Sequence, residues 1–207
     1  MARTKNHLLR DLSGSIANLV FYQVDGETYV RTRPVTYKDR QSPAQLAQRQ
    51  RIQVVNRFLT PFKKVLRQTF MLADRERQAY SNATSYNMKH GLTGSYPHLN
   101  IDKTKARLSM GPLGLPATAT IKQVGDGFLM EWDPAPTNAH CAADDTFLFF
   151  ATHPYYPQAY YHFTGVRRSE GHFLWNRNLF EGHAKPDVWI AFRNAAETLV
   201  SDSWYLE

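Results

Sequence analysis

The chain has 207 residues, 43% of them hydrophobic and 21% charged, with 11 Gly and 11 Pro. That globular composition suits one large domain or two small ones, and no apolar run approaches the roughly 20 residues of a membrane helix. The single cysteine, Cys141, excludes an internal disulfide, and the net charge of +7 is unevenly spread. Residues 1–115 carry 19 Lys+Arg against 7 Asp+Glu, net +12, while residues 116–207 carry 6 against 11, net −5. Such asymmetry suggests regions that meet different partners, or that meet each other between subunits.

The opening MARTKNHLLRDLSGS is basic, and Arg10 and Asp11 interrupt the apolar core a secretory signal requires. The expectation is a cytoplasmic protein, or a particle or assembly formed without a Sec signal. SIANLVFYQV and ETYVRTRP flank Asp25-Gly26, which predicts a β-hairpin with a turn at positive φ, and Pro34 ends its second strand. Ser42 is then an N-cap, Pro43 fits the first helical position, and Gln45 completes a capping-box spacing. At about 100° per residue, Val55, Phe58, Leu59, Phe62, Val65 and Leu66 share one side of this helix. Arg49, Arg57, Lys63, Lys64 and Arg67 share the opposite side, while Arg51 falls toward the apolar sector and Pro61 kinks or splits the helix. A second helix is expected over residues 74–90, closing at Gly91, with Ala79, Tyr80, Ala83 and Tyr86 on its packing face.

MGPLGLP marks a boundary by its Gly and Pro density, which divides the chain into a basic module, 1–115, and a second domain, 116–207. The second holds ATATIKQV, GFLMEWD, TFLFFATHP, AYYHFTGV, HFLWNRN, PDVWIAFRN and LVSDSWYL, short β-branched or aromatic runs between turn residues. That spacing predicts an antiparallel β-sandwich, so the fold class is α+β: an N-terminal β-hairpin plus helices, then the sandwich.

Two resemblances bear on this reading. WDPAP (132–136), TFLFFATHP and VWIAFRNAAETLVSDSWYL resemble the second, third and last two strands of a fibronectin type III or immunoglobulin-like domain. This covers the last 90 residues or so and implies an interaction or scaffold module, although fold alone does not assign function. SGSIANLVFYQVDGETYVRTRP, SPAQLAQRQRIQVVNRFLTPF and IDKTKARLSMGPL are together similar to an uncharacterised family, a domain of unknown function common in Bacteroidota. That likeness carries no functional residues with it.

Motifs for catalysis are absent: the sequence has no G-x-S-x-G, P-loop or dinucleotide fingerprint. His153, His162, His172 and His183 recur about once per β segment without the tight ligand spacing of a zinc site, and read as half-buried strand positions beside aromatics. Cys141 reads as structural, since the adjacent His140 points to the other face of a strand. Asp144-Asp145 reads as a solvated turn. The expectation is therefore no catalytic residue, no metal and no cofactor.

Two surfaces remain as candidates. PYYPQAYYHF is a partner contact through Tyr155, Tyr156, Tyr160 and Tyr161, or else completes the sandwich core. The helix face Arg49, Arg57, Lys63, Lys64 and Arg67 lacks acidic partners at i+4, the hairpin adds Arg31 and Arg33, and together they attract an acidic protein surface or another polyanion. The leading functional expectation is a non-enzymatic structural or interaction protein that forms a homo-oligomer or larger assembly. The alternative is nonspecific nucleic-acid binding through the helix face, falling steeply with salt.

Overall fold

A computed structural model of the chain describes residues 2–3, 12–33, 41–70, 76–153, 159–176 and 185–207. The chain divides into two units, Met1–Ser42 and Pro43–Glu207.

In the first unit, β1 (Ala2–Arg3), β2 (Gly14–Ile16), β3 (Leu19–Val24) and β4 (Glu27–Thr32) form an antiparallel sheet ordered β1-β4-β3-β2. Asp25 and Gly26 take φ of 52° and 81° and join Val24 to Glu27 in register. This is the expected hairpin turn, whose twist matches that of the strands. SIANLVFYQV, however, is not one strand. Ala17-Asn18 forms a second two-residue turn that pairs Ile16 with Leu19, with Ala17 at φ 50°. An alanine rarely adopts that conformation, so Asn18 is the turn's one sequence signal. Tyr22 stacks on Tyr29 across β3 and β4 at 5.8 Å. Among the described residues of this unit only Thr28 is buried, so no apolar side chain is. Ile16, Val24 and Leu19 stand 59%, 46% and 41% exposed.

The second unit begins with α1 (Pro43–Leu59), a 3-10 turn (Thr60–Phe62) and α2 (Lys63–Thr69), followed by α3 (Glu76–His90). Pro61 breaks the long helix as expected, because it has no N–H to continue the ladder. A short hairpin follows, β5 (Leu92–Thr93) with β6 (Asn100–Ile101). The seven expected runs then become β7 (Ala119–Val124), β8 (Gly127–Trp132), β9 (Thr146–Thr152), β10 (Ala159–Arg167), β11 (His172–Asn176), β12 (Asp187–Arg193) and β13 (Trp204–Leu206). They form two antiparallel sheets, ordered β10-β9-β12-β13 and β11-β8-β7.

The central pair β9–β12 is apolar on both faces, and period-two alternation sorts its side chains. Phe147, Phe149, Val188, Ile190 and Phe192 meet Phe128, Met130, Trp132 and Trp175 of the three-stranded sheet. Trp132 stacks on Phe147 at 4.4 Å there. Leu148, Phe150, Trp189 and Ala191 meet Val55, Leu59, Phe62, Val65 and Leu66, the stripe expected from helical periodicity. Phe62 sits edge-on to Phe150 at 5.9 Å, and Phe58 lies 5.6 Å from Trp189. Ala79 and Ala83 bring α3 close to this layer, with Tyr80 and Tyr86 half-buried beside them.

Residues 102–115 sew the helices to the last strands. Met110 donates to the Thr69 carbonyl at 2.8 Å, Leu113 to Val200 at 3.1 Å, and Ser203 to Ser109 at 2.9 Å. The Ser109 hydroxyl donates to the Ser201 carbonyl at 2.6 Å, and the Trp189 indole to the Lys103 carbonyl at 3.0 Å. A Cβ at Gly111 would collide with the Val200 carbonyl, so this glycine serves close approach. Side chains from both sides of position 115 thus share one core.

Removing the Phe62 ring takes an anchor out of that shared core. Phe62→Ala should cost about 3–5 kcal/mol in chemical denaturation. The helical circular dichroism and the tryptophan fluorescence should be lost in a single coincident transition, and separate transitions would contradict a common core.

Candidate interaction surface

With its apolar stripe spent on the sheet, the helical layer turns its cations outward. Arg49, Arg57, Lys63, Lys64 and Arg67 are all exposed on α1 and α2. Among the described residues no carboxylate lies within ion-pair distance of Arg57, Lys63, Lys64 or Arg67. Lys63 instead rides over the Tyr80 ring at 5.8 Å. Arg51, toward the apolar side as its position implied, donates to the Met88 carbonyl at 2.9 Å. Arg31 and Arg33 are exposed in the first unit, so the sequence-predicted basic set is shared between two units.

In the acidic half, five carboxylates are paired within the chain. Asp187 meets Lys103 at 2.8 Å, Glu131 meets Lys122 at 2.7 Å, Glu197 meets Arg193 at 2.9 Å and Asp202 meets Arg107 at 3.7 Å. Asp145 corrects the expectation of a solvated turn. Asp144 is exposed, but Asp145 is fully buried and meets the equally buried Arg168 at 3.1 Å. The Arg168 guanidinium also donates to the Gly114 carbonyl at 2.8 Å and lies 4.1 Å from the centre of the Phe192 ring. The signal that sequence reading passed over is an arginine, VRRSEG, closing a strand beside that acidic loop.

Between α1 and α3 runs an open groove of about 610 Å³ whose lining includes Arg51, Tyr80 and Lys89 and, among the described residues, no acidic one. Periodicity did not reveal it, since it depends on how two helices splay.

Of the tyrosine set, Tyr160 and Tyr161 lie half-buried on opposite faces of β10. Tyr160 stacks on Trp175 at 5.7 Å, and Tyr161 joins the helix-side cluster with Phe163. Tyr155 and Tyr156 lie outside the described residues, as does His183. His153 is buried, whereas His162 and His172 are exposed. Among the described residues no three His, Cys, Asp or Glu side chains gather as a metal site requires. Cys141 is half-buried, its thiol 3.2 Å from Asn138 Oδ1. Burial pushes that thiol up, but hydrogen bonds from Thr137 and Asn138 and the charge of Arg168 outweigh it and lower it overall. Tyr205 is the opposite case: burial, its 2.9 Å hydrogen bond to Asp187 and the charges of Asp187 and Glu207 push it up to about 12.

A family model described as a family of unknown function, DUF6266, matches residues 11–207. The chain belongs to that family. Neither the curated proteins nor the solved structures compared with it give a significant match. Membership spans both units and so covers the sheet, the basic helices and the sandwich together. Among the described residues no helix is long and apolar enough to cross a membrane.

Two measurements check these electrostatics. Arg168→Met should cost about 3–5 kcal/mol, because it strands the Asp145 carboxylate in the interior. Adding Asp145→Leu should recover most of that loss in denaturant titrations. Tyr205 keeps its proton in the fold to about pH 12 but loses it near pH 10.0 when unfolded. Its contribution to stability is therefore complete below pH 10 and is lost as pH rises toward 12. Tyrosinate absorbance should show one late-titrating phenol, and Tyr205→Phe should remove it and flatten the alkaline limb of stability.

Proposed function

We propose that this chain is a non-enzymatic structural or interaction protein that assembles with further copies of itself. The observation that carries the reading is the first unit: a four-stranded sheet with no buried apolar side chain among its described residues. Such a sheet gains too little from burial to offset its ordering, and is completed when another chain covers it or extends its edge. Exposed Ile16, Leu19 and Val24 are the side chains that association would cover. The sandwich supports a scaffold role. Its sheet orders, β10-β9-β12-β13 and β11-β8-β7, favour a fibronectin type III-like or immunoglobulin-like module.

A second reading, nonspecific nucleic-acid binding, is favoured by the exposed cations Arg57, Lys63, Lys64 and Arg67, which have no counter-charge among the described residues. Docking of the positive helices on a neighbour's negative sandwich is another route to assembly, since Asp126 and Asp144 are exposed there.

Light scattering after size exclusion should give a mass above that of the 23.8 kDa monomer at micromolar protein. Leu19→Lys/Val24→Lys should shift it toward the monomer without changing the melting of the sandwich. A wild-type protein that is strictly monomeric at low and moderate salt refutes self-assembly.

A further inference from the structure

Several groups that line the α1–α3 groove have no side-chain hydrogen bond among the described residues: the Gln48 and Asn56 amides, the Ser81 and Ser85 hydroxyls and the Lys89 ammonium. Arg51 spends one guanidinium nitrogen on the Met88 carbonyl, and the Thr84 hydroxyl donates to the Tyr80 carbonyl. Lys63, over Tyr80, adds a third cation at the groove's margin, and its neighbour Lys64 is exposed on α2. Positive charge with N–H and O–H donors, and no carboxylate among the described lining residues, is the chemistry that recognises phosphate oxygens.

We propose that this groove is a binding site for the sugar-phosphate backbone of single-stranded nucleic acid. The inference rests on the nucleic-acid reading above and assigns it a place. An extended ligand suits the site better than a single phosphate, since an open groove of about 610 Å³ is flanked by further cations on α2. A repeating anion meets both, and a mononucleotide only the first. A base has no free aromatic platform here, because Tyr80 is half-buried and carries Lys63 on its ring. Binding is consequently to backbone, indifferent to sequence and dependent on salt.

The test is fluorescence anisotropy with the full chain and a labelled mixed-sequence single-stranded DNA across a salt series. Ser81→Asp and, separately, Lys89→Glu place negative charge in the groove at exposed positions, and thermal melting checks that each variant folds. Each should weaken binding about tenfold and reduce the salt slope by about one. Lys122→Glu, on the sandwich, should leave binding unchanged. If both folded groove variants bind as wild type does, the groove assignment is overturned while the nucleic-acid reading stands. If wild type does not bind DNA even at low salt, both fall. If heparin binds the wild type and DNA does not, the ligand class is wrong.

Discussion

The second unit is governed by one constraint: the β9–β12 pair is apolar on both faces, so it has to be covered twice. The three-stranded sheet covers one face, with Trp132 against Phe147 near its centre. The amphipathic helices cover the other, Phe62 against Phe150 and Phe58 against Trp189. That demand sets the rotation of α1 and α2. Once Val55, Leu59, Val65 and Leu66 point into the sheet, Arg57, Lys64 and Arg67 have nowhere to lie except in solvent.

Charge then separates by compensation as much as by count. The sandwich carries the negative excess, yet Asp145, Asp187, Glu131, Glu197 and Asp202 each hold a cation of the same unit. Some of these pairs are structural ties: Asp187 accepts from both Lys103 and Tyr205, binding the 102–115 segment to β12 and β13. On the helical layer, Arg57, Lys63, Lys64 and Arg67 face outward without a counter-charge among the described residues.

Much of this was legible in the residues, where a local rule decides. All seven sandwich strands fall on runs whose composition and spacing announce them. The helical stripe, the break at Pro61 and the Asp25-Gly26 turn follow from geometry that each sequence enforces by itself. What was not legible depends on long-range contact or on a rarely used conformation. Ala17 takes the first position of a turn where glycine is usual, leaving Asn18 as its one turn signal. Asp145 looks like its exposed neighbour Asp144 until β10 ends with Arg168 beside it. The Gly and Pro density of MGPLGLP suggests a linker, but the glycines let backbone run close, Gly111 against Val200 and Gly114 against Thr137. The α1–α3 groove depends on an interhelical spacing that no periodicity encodes.

The composition of the outer helical face is itself an argument about purpose. Packing against the sheet asks only that this face be polar. A helix selected for stability alone would alternate Glu with Lys or Arg and gain support at i,i+4. This one sets Lys63 against Arg67 at that spacing, a like-charge pair that opposes the helix, and places no carboxylate near Arg57 or Lys64 among the described residues. The polyanion proposed above would turn the self-repulsion of the face into attraction.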